Sequence, residues 1–277
     1  DGFEVLEYMQ KNGISNIPAF LITSEATQEN VERAMQFNVA EFLVKPFDRD
    51  DILRRLKSRL GFIPEFPSTK IAIAEINRYI SELEILYQSY LANFGKSHQH
   101  YLSMVALMKI MLTQYSHDRP DLGLDRDQIE IISRAAYFCD IGDMFLPQRP
   151  DSAREPAEGR SMQQSHSYLG AHIIRLNHAK NCEFFVEICA DMCMHHHERY
   201  DGRGYPHRMA GKRNSFYNQL CCLVDEMDRI VSGFGDRKGM YMGGTILRLL
   251  GDEGKVGPEA FALLRRCEPA ITEFYSM

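Results

Sequence analysis

Two prolines within four residues, Pro64 and Pro67 in the segment GFIPEFP over 61–67, divide this chain more sharply than any other feature. Proline lacks the amide that a helix interior or a central strand must supply, so no regular element runs through this point. Before it the periodicity alternates. Val5, Leu6 and Met9 form a helical stripe, Ala19 to Ile22 a short apolar strand, and Val31, Ala34 and Met35 the start of a second helix. Glu41 to Val44 gives a second strand and Ile52 to Leu60 a last helix, an order that makes half of a doubly wound α/β unit. After the prolines only the helical period persists. Ile73, Ile76, Ile80, Leu83, Tyr87 and Tyr90 alternate three and four apart over fewer than three heptads, a seam that suits either packing on the next domain or a homodimer helix. From residue 97 onward the pattern is helical, with breaks at 118–121, 147–158 and 233–239. The expected fold is mainly α: an α/β fragment over 1–60, a linker and connecting helix over 61–96, and an all-α bundle over 97–277.

A chain of 277 residues can bury two cores. Its net charge of -6 argues against binding a nucleic-acid backbone, and no apolar run approaches the roughly 20 residues of a membrane-spanning helix. Seven cysteines, an odd number scattered through apolar sequence, predict reduced thiols and a cytoplasmic protein. The basic cluster Arg54, Arg55, Lys57 and Arg59 reads as a solvated helix end. The sequence opens at Asp1, so a further segment is expected upstream.

The chemistry is concentrated in Met194 to Pro206, MHHHERYDGRGYP, where three consecutive imidazoles lead into a carboxylate and a glycine-rich turn. Imidazole and carboxylate together suit divalent first-row ions. A centre built this way draws ligands from several helices, and the sequence offers His100, Asp140, His166, His196, His197 and Asp225. Each has an ordinary use as well; Asp225 can simply pair with Arg229 one helical turn on. A rival set, Cys189, Cys193 and His197, shares one helix face and could hold zinc, or its thiols could be small core residues.

The HHE to GYP string resembles the signature of the HD-GYP family, bacterial hydrolases of cyclic dinucleotides. FCDIGDMFLP over 138–147 resembles that family's HD motif, usually HDIGKIGIP; His100, the His166 to Gly170 stretch, VDEMDRIVS over 224–232 and the segment 254–259 resemble further elements in the same order. The resemblance covers residues 97 to 265. It implies a helical HD bundle that hydrolyses cyclic di-GMP with two divalent ions, iron or manganese in preference to zinc. Their ligands would be His100, Cys139, Asp140, His166, His196, His197 and Asp225. It further implies catalytic roles for Asp140, for Glu198 as the group orienting a ligand histidine, and for Tyr205. Gly202, Gly204, Tyr205 and Pro206 would line the substrate, with Arg237 or Lys238 as a phosphate contact, and His195 would be a bystander. Two departures stand out: Cys139 replaces the motif's histidine and Asp143 its lysine, reversing a charge near an anionic ligand. Lys96 stands where some relatives carry a glutamate for a third ion. These departures leave open a second reading, a degenerate domain that binds a cyclic dinucleotide or a partner without turnover.

The first 60 residues resemble the second half of a response-regulator receiver domain, through DGFEVLEYM, FLITS and Lys45-Pro46-Phe47. That resemblance implies a flavodoxin-like unit in which Thr23 and Lys45 flank a phosphorylated aspartate lying before Asp1, and a cognate histidine kinase as partner.

Overall fold

The computed structural model describes residues 1–14, 19–25, 27–37, 39–47, 52–53, 55–56, 64–94, 97–146, 164–176, 181–233, 239, 242–252 and 254–276. Helix α1 (Gly2–Lys11) starts at a capping box in which Asp1 takes the Glu4 amide and the Glu4 side chain reaches back to the Asp1 backbone. Strands β1 (Phe20–Thr23) and β2 (Glu41–Val44) pair in parallel, Phe20 opposite Glu41 and Thr23 opposite Val44, with α2 (Gln28–Gln36) as the crossover between them. Leu6, Leu21, Ala34, Val39, Phe42 and Leu43 form the buried centre of this small layer. Most of the helix expected over 52–60 lies outside the described residues.

Glu41, at the head of β2, is buried, and a buried carboxylate is costly unless it is paired. Arg55 donates to it at 3.4 Å, and Arg175 from the helical part donates at 3.2 Å. Arg55 is therefore a core ion-pair member and not part of a solvated helix end. Arg175 also holds Glu187 at 3.0 Å, so one buried network ties the α/β layer to two helices of the bundle.

Helix α3 (Lys70–Asn93) begins where Thr69 caps the Ala72 amide. Its seam residues Ile76, Ile80, Tyr87 and Tyr90 are buried within the chain, Tyr79 donates to the Ile174 carbonyl, and Tyr90 donates to the Asp143 carbonyl at 3.0 Å. Packing on the bundle, the first of the two roles the periodicity allowed, thus uses this face. Arg134 ties the flank of the helix to Glu84 at 2.7 Å.

The bundle comprises α4 (Gln99–Asp118), α5 (Arg126–Ala135), α6 (His166–Leu176), α7 (Glu183–His195), α8 (Phe216–Ser232), α9 (Met242–Gly251) and α10 (Pro258–Ser276). Helix α4 is the hub, packed against α5, α8 and α10, while α6 lies on α7 and on the short 3-10 turn Ile141–Phe145. That last contact needs glycine. A Cβ on Gly142 would stand 2.0 Å from the His166 carbonyl oxygen and 2.6 Å from the Gly170 amide nitrogen, so the missing side chain lets the turn after Asp140 seat on the first turn of α6. The seven cysteines are free and buried, and among the described residues no helix is long and apolar enough to cross a membrane.

Candidate metal centre

Four side chains from three places in the chain converge. Asp140 ends the turn that follows α5, His166 opens α6, and His196 and His197 leave the C-terminus of α7. One potential ligand atom from each lies within 4.8 Å of all the others. His196 Nε2 and His166 Nε2 stand 3.2 and 3.4 Å from Asp140 Oδ1, and 3.4 Å from one another. The ring of His196 is held from behind, its Nδ1 donating to the Met192 carbonyl at 2.9 Å and the Cys193 carbonyl at 3.1 Å. That bond fixes the tautomer that leaves Nε2 to face the carboxylate, the usual arrangement behind a metal-bound imidazole.

The electrostatics follow from crowding these groups out of water. Burial pulls the His196 pKa down, but the hydrogen bond and charge of Asp140 outweigh it and lift the ring to about 10. Asp140 is opposed by burial in the same way, and His196, Arg229 and His166 together hold it well below the ordinary carboxylate range. His197 moves the other way: burial, then the charges of His196 and His166, push it well below its usual value. Three imidazoles and one carboxylate, mostly buried and aimed at a common point, fit a divalent ion that takes the place of the proton on His196.

His100, Cys139 and Asp225 adjoin this group but are engaged elsewhere. His100 bridges two carboxylates of α8, Nδ1 to Asp228 at 2.7 Å and Nε2 to Asp225 at 3.0 Å; although burial opposes it, these bonds lift its pKa to about 9. Arg229 donates through Nε to Asp225 at 2.6 Å and through an Nη to Asp140 Oδ2 at 3.2 Å. The pairing of Asp225 with Arg229 one turn on is therefore real, and Arg229 also reaches across to Asp140, which nothing in the local pattern announced. Tyr275 of α10 completes the set by donating to Asp228 at 2.8 Å. Cys139 is fully buried, and the neighbouring Cys221 thiol, burial and the charge of Asp140 keep its proton on.

The turn after the histidines lies against the four-residue group, with the Tyr205 ring stacked on His197 at 4.6 Å between centroids. Gly204 permits this path, since a Cβ there would meet the Arg199 amide nitrogen at 2.4 Å, and Gly202 has a positive φ of 76°. Glu198 does not orient a ligand histidine. Its buried carboxylate accepts the amides of His207 and Met209, because a tight turn leaves those N–H groups without a ladder partner. It is thus a brace for the chain after Pro206. His195 is more than a bystander: its Nδ1 meets Asp191 at 2.7 Å and its Nε2 meets His207 at 3.0 Å, and His207 donates in turn to the Val39 carbonyl of the α/β layer at 2.8 Å.

The zinc set fails on geometry. The Cys189 thiol points to the Ala135 carbonyl and that of Cys193 to the Phe138 carbonyl, both in the core, while His197 joins the other cluster. Thr23 ends β1 and Lys45 directly follows β2, with the Lys45 amide donating to the Thr23 carbonyl at 2.7 Å. Arg237, Lys238 and Lys96 lie outside the described residues.

A family model described as HD domain matches residues 100–259, a stretch longer than half the chain that begins at His100 and encloses all four converging residues. The chain belongs to the HD-domain family. Among curated relatives of this HD-domain chain is the cyclic di-GMP phosphodiesterase response regulator RpfG of Xanthomonas campestris, 22% identical over 253 residues, which are 87% of this chain and 65% of that protein. A cyclic di-GMP phosphodiesterase of Pseudomonas aeruginosa is 27% identical over 169 residues, 60% of this chain and 37% of the relative. Another, from Thermotoga maritima, is 22% identical over 297 residues, 99% of this chain and 77% of the relative. The chain thus spans less than two thirds of the length of the first two.

Proposed function

We propose that this HD-domain chain is a metal-dependent phosphodiesterase of the HD-GYP type that hydrolyses cyclic di-GMP. The observation that carries the reading is the group Asp140, His166, His196 and His197 facing the Gly-Tyr-Pro turn through the stack of Tyr205 on His197. Relatives named cyclic di-GMP phosphodiesterases support the substrate. A divalent ion held there supplies Lewis-acid polarisation of a phosphoryl oxygen and water acidified towards neutrality.

The chain's own residues do the rest. Asp140 and the three imidazoles fix the ion, and the Met192 and Cys193 carbonyls keep His196 in the tautomer that binds. Tyr205 and Pro206 form a wall beside the reacting phosphodiester, and Glu198 holds that wall in place through the backbone beyond it. The donor set suits iron or manganese, with zinc as the third choice. How many ions the centre takes depends on Arg229. In this reading residues 1–60 are the second half of a receiver domain that answers to a histidine kinase, with Thr23 and Lys45 at its phosphorylation end, and the likeness to a response regulator supports it.

The degenerate reading has one observation in its favour: Cys139 is a buried protonated thiol where an imidazole ligand is expected, and Asp143 stands in sequence where the motif has a lysine. Purified chain assayed for bound metal and for conversion of cyclic di-GMP to linear dinucleotide or GMP separates the two. Metal with turnover supports hydrolysis; cyclic di-GMP bound without product refutes it.

A further inference from the structure

We infer that the guanidinium of Arg229 fills the position a second cation would take, so that the centre holds one divalent ion per chain. The inference rests on the proposal that Asp140, His166, His196 and His197 bind an ion. A second ion beside that group would need the other oxygen of Asp140 together with Asp225 and His100, the remaining carboxylate and imidazole at hand. The two carboxylates already hold Arg229. Its Nε lies 2.6 Å from Asp225 Oδ1 and an Nη lies 3.2 Å from Asp140 Oδ2. A second cation would have to displace the guanidinium from these two oxygens, which are the ones it already uses.

His100 reinforces the exclusion. Its Nε2 meets the very Asp225 oxygen that Arg229 uses, and its Nδ1 meets Asp228, so both ring nitrogens face carboxylates. Asp228 is in turn held by Tyr275 from α10 and by Ser232. The arrangement is a closed network of Asp140, Asp225, Asp228, His100 and Arg229, with the arginine supplying a fixed positive charge between two acids. Arginine suits that task, being planar, always charged and able to bridge two carboxylates at once. It cannot acidify a water, so Arg229 acts as a positioning residue for Asp140 and as a charge beside the ion.

Metal-free chain titrated with manganese(II) chloride tests the inference. The expected stoichiometry is one ion for the wild type and for Arg229→Lys, and two for Arg229→Ala, in which Asp140 and Asp225 are released. The wild type loaded with manganese should give the six-line resonance of an isolated ion, with no exchange-coupled signal; this readout needs no variant and stands even if Arg229→Ala fails to fold. Two ions or a coupled spectrum in the wild type would overturn the inference and leave the proposed hydrolase intact. A single ion in folded Arg229→Ala would overturn it too. A wild type that takes up no ion would remove the four-residue centre, and the inference with it.

Discussion

Gly142→Ala is the most demanding substitution the structure predicts for a residue that carries no chemistry. The added methyl would stand 2.0 Å from the His166 carbonyl oxygen and 2.6 Å from the Gly170 amide nitrogen, both backbone atoms that no rotamer change can move aside. Ordinary contact needs more than 3 Å, so the turn Ile141–Phe145 and helix α6 must separate by about 1 Å at the point where Asp140 meets His166. Overpacking of this kind costs about 1–3 kcal/mol in a well-packed interior. With about 2–4 °C per kcal/mol for a domain of this size, the melting temperature should fall by roughly 2–12 °C. The ion should be affected as well, because His166 and Asp140 sit on opposite sides of the widened contact; a tenfold or greater loss of affinity is expected. Gly251→Ala is the control, since nothing lies within 4 Å of its would-be Cβ at the end of α9. Urea denaturation in chelator and manganese titration of the three proteins measure both effects. If Gly142→Ala matches the wild type in midpoint and in ion affinity, the argument that a close backbone approach positions Asp140 is wrong.

Asp140→Asn should abolish ion binding while leaving helical content unchanged, because it removes the acid on which both His166 and His196 converge; metal analysis with circular dichroism decides. Cys189→Ala and Cys193→Ala should each leave metal content as it is, whereas a loss of ion would revive the zinc set on α7. Stability of the metal-free protein should depend on pH through His100 and His196, whose pKa values are both raised, and the share of His100 is the part lost in a comparison with His100→Gln. The folded pKa of His100 is raised to about 9 from an ordinary value near 6.5, so its stabilisation is fully present below about 6.5 and is lost as pH rises through about 9, by up to ~3 kcal/mol. Denaturation midpoints whose pH dependence between about 6.5 and 9.5 is the same in the wild type and in His100→Gln would show that His100 is not held by Asp225 and Asp228.

The linear order carried a good deal of this protein. The paired prolines separated an α/β pattern from a helical one because proline's missing amide and the helical period are local properties, and β2 falls on Glu41 to Val44, the short run expected to form a strand, although it is buried along most of its length and does not alternate. The consecutive histidines and the glycine-rich turn were equally legible, since a stack such as Tyr205 on His197 is made within one short segment. What the order left open is which distant faces meet. It offered seven metal ligands, and four of them come together while His100, Cys139 and Asp225 lie beside the group with other partners. It placed Arg55 in water and Glu198 behind a histidine, where packing put one against Glu41 and the other against two amides. Arg229 shows the limit most clearly. Its bond to Asp225 follows from helical spacing, but its bond to Asp140, 89 residues away, exists only because α8 and the turn after α5 are packed side by side on α4, and no local periodicity encodes the contact between them.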